Sequence, residues 1–358
     1  MKNNRDIGMD ITRIVAFSSV VGVHFFLNTG FYDAIIEGKG MYLMVLIRTF
    51  FMICVPLFMI MTGVLYSRNE INLTKSDLIR FYKKIVKVIN IYLVSTLILL
   101  CLMKYILEFP IGGVVGLINN ILSYAQYSWY VNMYIGFFFL IPFLNKIWYS
   151  FEETESRRVL LAICVGLTVL PSVLNGHGWM INRIVPDFWK GLYPITYYYI
   201  GSYFSQEVDL KKLPKVKILA LLLVTLIVFT IHNIYHSYGV KFVWGPWNDW
   251  GGIECVIEST IVFLLINSFD YSNINRKIKI GLSKIANLTF GAYILSFFGD
   301  SFIYRILNNS ILVVQYKIFY FPLTVGFTII VSLLLSFLVE KILDLIKLSK
   351  GLRFSSRM

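Results

Sequence analysis

Charge is scarce in this chain. Only 15% of its 358 residues are Asp, Glu, Lys or Arg, where soluble domains carry about a quarter. With 57% hydrophobic residues and a mean hydropathy of +0.70, too little polar surface exists to clothe a water-facing globule, and a soluble fold is excluded. Cysteine is sparse as well. Cys54, Cys101, Cys164 and Cys255 all sit in apolar runs, without a CxxC and without a histidine at ligand spacing, which argues against a disulfide framework and against a structural zinc. No metal is expected. Acidic residues are outnumbered 20 to 33 by Lys and Arg, a net charge of +13. In a soluble protein that excess would raise the question of nucleic acid; in this composition the lipid bilayer surface is the expected partner and nucleic acid is not. Repeats, low-complexity tracts and soluble appendages are also missing, so residues 1–345 read as one membrane domain followed by a basic tail at 346–358.

What the chain does have is long apolar runs. About ten stretches approach the roughly 20 residues that cross a bilayer: 7–28, 42–66, 85–105, 128–149, 159–175, 191–205, 216–235, 251–268, 284–307 and 317–343. The fifth and sixth are short. An all-α integral membrane protein follows, because only helices and closed barrels satisfy their backbone in lipid. The first stretch carries Asp10 and Arg13 and no small-residue cleavage site, so it reads as a retained helix and not as a removed signal peptide. If the N-terminus is cytoplasmic, the loops on that side hold 24 Lys and Arg against seven on the other. That bias places both termini in the cytoplasm. On the opposite side, residues 243–252 set Trp244, Trp247 and Trp250 beside turn residues; an interfacial aromatic belt and a sugar-stacking surface both fit this pattern.

Ionisable groups inside a bilayer cost a few kcal/mol each, so they tend to be paired, face a cavity and mark function. Asp10 precedes Arg13 by three residues, the spacing of a helical ion pair. His24 follows Arg13 by eleven residues, about 1100° and about 16 Å of helix, which puts both on one face near opposite ends. Arg13 offers a cationic fork to a phosphorylated or carbonyl-bearing donor, and a neutral His24 is suited to take the proton of a hydroxyl that attacks an acyl carbon. The plain alternative is a structural Asp10–Arg13 pair and a packing histidine. Glu254 and Glu258, four apart, either orient His24, accept a sugar hydroxyl, or pair with Arg48 in a structural bridge. Tyr293, Ser296 and Asp300 share a face of the ninth stretch, although a membrane serine most often bonds its own backbone. Trp129 and Asn132 stand at the outer mouth of the fourth.

These residues resemble the signatures of the acyltransferase-3 family of integral membrane acyltransferases. Asp10-x-x-Arg13 with His24 resembles the family's first-helix signature, and residues 55–63, VPLFMIMTG, resemble its PLFFxxSG segment with Thr62 in place of Ser. The basic stretch 81–87, FYKKIVK, resembles one in which the family usually has arginines. Residues 128–145, SWYVNMYIGFFFLIPFLN, resemble a segment of the branch that modifies bacterial surface polysaccharides. Residues 288–296, LTFGAYILS, resemble a late SFGxYLxH motif, with Ser296 where the family usually has His.

The resemblance implies a ten-helix bundle in a bacterial plasma membrane. It implies transfer of an acyl group, usually acetyl, from cytoplasmic acyl-CoA to a hydroxyl of an extracytoplasmic or lipid-linked glycan, with no tightly bound cofactor. Carried over, His24, Arg13 and Asp10 are the catalytic residues, with His24 as the base and Arg13 in the donor channel; Arg80, Lys84 and Lys87 become candidates for the CoA phosphates. The acceptor cavity would draw on Arg48, Trp129, Asn132, Glu254, Glu258, Tyr293, Ser296 and Asp300. A non-enzymatic exporter or flippase of polysaccharide intermediates would use the same polar cavity as a conduit.

Overall fold

A computed structural model describes residues 5–110, 112–122, 127–175 and 184–349. The basic tail from residue 350 onward lies outside them, as do Lys2 and Arg183 of the loop-charge tally. The chain begins with α1 (Ile7–Asn28), where Asp6 caps the helix by accepting from the Met9 amide at 3.3 Å, the favoured N-cap chemistry. Next come α2 (Lys39–Phe51) and α3 (Cys54–Tyr66), which together make one crossing of 28 residues. They are parted at Met52 and Ile53 because Pro56 has no N–H for the Met52 carbonyl and its ring crowds that turn.

The helices α4 (Lys75–Tyr82), α5 (Ile85–Tyr105), α6 (Gly113–Leu122) and α7 (Trp129–Tyr149) follow. Then come the short α8 (Thr154–Thr168), α9 (Leu170–Leu174) and α10 (Tyr193–Gln206). The chain continues through α11 (Lys215–Ser237), α12 (Ile253–Ser268), α13 (Arg276–Ser310) and α14 (Phe321–Ser349). Among the described residues, eight helical segments are long and apolar enough to cross a membrane. Of the ten stretches expected from hydropathy, the fifth and sixth correspond to α8 with α9 and to α10, whose 15, 5 and 14 residues stay below that length. The only extended pairing among the described residues consists of isolated bridges, from Ile35 to Lys241 and from Ile36 to Tyr238.

Helix α1 is the hub and touches α2, α3, α12, α13 and α14. Its neighbours approach closely through small residues. A Cβ on Gly63 of α3 would lie 2.0 Å from the Tyr198 carbonyl, and one on Gly201 would lie 2.1 Å from the Ile60 carbonyl, so α3 and α10 pack backbone to backbone, as membrane helices do through small residues. On α14 the buried Thr324, Thr328, Ser332 and Ser336 recur every four residues. Leu323, Ile330 and Leu334 of the same helix are more than half exposed. The hydroxyl stripe therefore faces the protein and the aliphatic face meets lipid. The stripe meets Gly291 and Gly299 of α13, and this close seam sets Thr328 beside Asp300.

Candidate active site

His24 is 7% exposed near the C-terminal end of α1. Its Nδ1 stands 3.1 Å from Asp300 Oδ2 on α13, and Thr328 Oγ1 on α14 donates to Asp300 Oδ1 at 3.0 Å. Three helices thus supply one line of polar atoms. An ionised carboxylate only accepts, so this contact suits the tautomer with the proton on Nδ1 and Nε2 left as the basic nitrogen. Orientation of His24 by Glu254 or Glu258 is not what the fold provides; Asp300 does it, because α13 rather than α12 presents a carboxylate to this ring. Tyr127, in the left-handed region at φ 68°, stacks on the imidazole at 3.6 Å between centroids. Asn28 Nδ2 donates to the His24 carbonyl at 2.7 Å and to the Tyr127 hydroxyl at 2.9 Å. The Tyr293 hydroxyl donates to the Tyr127 carbonyl. Ser296 is fully buried, and its hydroxyl bonds the Tyr293 carbonyl of its own helix at 2.7 Å.

At the other end of α1 the expected Asp10–Arg13 pair is replaced. Arg5 grips Asp10 with both arms of its guanidinium, Nε at 2.7 Å and Nη2 at 2.8 Å, and Ser283 Oγ adds a third bond at 2.7 Å. A bidentate fork from outside the helix satisfies a carboxylate better than a single arm from the next turn. Arg13 is left half-buried and, among the described residues, forms no ion pair or side-chain hydrogen bond; its electrostatic neighbours include Asp10, Tyr66 and Tyr134. Tyr66 also lines a cavity of about 300 Å³ together with Asn69, Asn72, Arg80, Phe81 and Lys84. Arg80 is paired with Asp77, and Lys84 Nζ lies 5.3 Å from the Phe81 ring centre. Lys87 is exposed and does not line that cavity.

A second buried cluster lies on α2, α11, α12 and the loop before α12. Arg48, fully buried, is held between the rings of Phe242 at 4.5 Å and Trp244 at 4.7 Å. It donates to the Tyr32 hydroxyl and to the Asn248 carbonyl, both at 3.3 Å. The bridge from Arg48 to Glu254 or Glu258 is absent within 4.0 Å among the described residues. Glu254 is instead engaged by Asn233 at 2.7 Å and His232 at 3.1 Å, and the two rings hold the guanidinium in place. Asn233 Oδ1 in turn accepts from Trp247 at 3.0 Å and Asn248 at 2.7 Å. Trp129 stacks on Trp250 at 4.5 Å, and Asn132 is half-buried one turn along α7.

Sequence reasoning missed Tyr127, Thr328 and Asn28 at the first cluster, Arg5 beside Asp10 at the other end of α1, and His232, Asn233 and Asn248 at the second. Asp300 and Thr328 lie 276 and 304 positions beyond His24, so no local spacing links them. The one legible hint was Asp300 itself, an acid placed inside an apolar helix. The family profile of an acyltransferase domain, that of the acyltransferase-3 family, matches residues 6–340, nearly the whole chain. No curated protein and no solved structure matches it.

Proposed function

Because the chain belongs to the acyltransferase-3 family, we propose that it is a membrane O-acyltransferase that moves an acetyl group from cytoplasmic acetyl-CoA to a hydroxyl of an extracytoplasmic or lipid-linked glycan, working in a bacterial plasma membrane. The observation that carries this reading is the His24–Asp300–Thr328 relay inside the bundle. A histidine whose Nδ1 proton is held by a carboxylate has a fixed tautomer and a basic Nε2. In the proposed step His24 Nε2 takes the proton of the acceptor hydroxyl while that oxygen attacks the thioester carbonyl. The new C–O bond forms, the C–S bond breaks, and the imidazolium returns its proton to the leaving CoA thiolate. Asp300 balances the transient imidazolium charge.

The donor side is supported by the cavity that gathers Arg80, Lys84 and Tyr66. Cationic side chains suit the CoA phosphates, and Tyr66 joins that cavity to the neighbourhood of Arg13. Arg13, without a carboxylate of its own, is free to contact the donor between that cavity and His24. Lys87 has no part in this arrangement. The test uses inside-out membrane vesicles, with and without the protein, given radiolabelled acetyl-CoA. Protein-dependent, base-labile label in the glycolipid or polysaccharide fraction is expected. Absence of label with native glycan present would overturn the reading and favour export of the glycan instead.

A further inference from the structure

The Arg48 cluster has bonding capacity left over. Arg48 Nη2, Asn248 Oδ1 and Glu258 Oε1 are buried without a hydrogen-bond partner among the described residues, whereas the Trp250 indole N–H is turned to the Cys54 thiol. Arg48, Asn248 and Glu258 are each at most 1% exposed. An unsatisfied buried polar atom costs about 1–3 kcal/mol, more when charged, so three in one buried cluster call for an explanation. They are also held in position. The Arg48 guanidinium is clamped between two rings, and Asn248 is tied through its amide to Asn233 and to the Val243 carbonyl.

We propose that Arg48, Asn248, Glu258 and Trp250 form a binding subsite for a hydroxyl-rich sugar ring of the acceptor, remote from the hydroxyl being acylated. The proposal rests on the acyl-transfer reading of the same protein. The kinds of free atom select the ligand class. Arg48 offers a donor, whereas Asn248 and Glu258 offer acceptors, and a sugar hydroxyl both donates and accepts. A carboxylate or a fully ionised phosphate ester only accepts and would leave Asn248 unsatisfied. An ammonium only donates and would meet Arg48 as a like charge.

Flat apolar faces stand beside the polar atoms, as sugar rings require. Trp244, 42% exposed, covers Arg48, and Trp250 and Trp129 stack on each other at the rim. From this rim a run of aromatic contacts leads to the base. Trp129 meets Tyr130 at 6.1 Å, Tyr130 meets Tyr293 at 6.0 Å, Tyr293 bonds the Tyr127 carbonyl, and Tyr127 covers His24. An acceptor of more than one ring would span this wall with one unit in the subsite and another at His24.

The experiment titrates the purified full-length protein, without acyl-CoA, with methyl glycosides of glucose, galactose, mannose and N-acetylglucosamine, read by saturation-transfer NMR. At least one glycoside is expected to bind saturably, and Glu258→Gln and Trp244→Ala should each weaken it by about tenfold. Inorganic phosphate and acetate should not compete. The proposal is overturned if no glycoside binds, if both variants bind like the unaltered protein, or if phosphate displaces the sugar. Trp244 is partly exposed, so its variant keeps the test valid should Glu258→Gln fail to fold. Acetyl transfer without glycoside binding removes the subsite and leaves the enzymatic reading standing. Glycoside binding without any transfer does the reverse.

Discussion

Two buried polar clusters divide the chemistry of this bundle. Around His24 the main side chains are bonded to one another: Asp300 holds the imidazole, Thr328 holds Asp300, and Asn28 ties the helix end to Tyr127, while the buried Tyr304 hydroxyl one turn beyond Asp300 has no hydrogen-bond partner among the described residues. Around Arg48 a similar density of polar groups leaves Arg48, Asn248 and Glu258 with unspent bonds. Bonds that hold the imidazole through Asp300 and Thr328 rigidify it, which is what a base needs to keep one tautomer and one direction. An open network in a low-dielectric interior is costly unless a ligand completes it. On this contrast we propose proton transfer for the first cluster and recognition for the second.

Four substitutions would break or sharpen that contrast. The largest effect is expected for His24→Ala, with acetyl transfer falling about 10³-fold through loss of the base in a correctly inserted protein, measured by label incorporated into glycan. Glycoside binding should survive this change. Asp300→Asn should follow, lowering kcat by about 10- to 100-fold, because an amide no longer selects the Nδ1–H tautomer; steady-state rates against acceptor concentration check that the loss falls on kcat. Glu258→Gln should act on the acceptor instead, raising its KM about tenfold, and a loss confined to kcat would dissolve the division between the clusters. Lys84→Ala is expected to raise the KM for acetyl-CoA only about threefold, since an exposed cation contributes well under 1 kcal/mol per contact; titration of the donor at saturating acceptor measures it.

The parts of the molecule that local periodicity controls were open to reading. Long apolar runs gave the helices, and the spacing of Arg13 and His24 placed them on the helix that became the hub of the bundle. Pairing was less accessible, because it is decided by which helices meet. Asp10 had a cation three residues away in Arg13, yet Arg5 reaches it with a bidentate fork and Ser283 completes it from α13. Glu254 has Arg48 and His24 as candidate partners by sequence, but α11 brings Asn233 and His232 to it. Tyr127 lies in a turn, where no periodicity announces a residue that will cover an imidazole. Ser296, which departs from the family's usual His, turns its hydroxyl to its own helix, and one turn later the same helix delivers Asp300 to His24.

The central claim is that His24, held by Asp300, is the base for acyl transfer. It is tested most directly by single-turnover incorporation of radiolabelled acetyl-CoA in inside-out vesicles carrying equal amounts of the unaltered protein, His24→Ala or Asp300→Asn. We expect rapid base-labile labelling of glycan by the unaltered protein, slow labelling by Asp300→Asn, and none above protein-free vesicles for His24→Ala. Equal labelling by all three would contradict the claim.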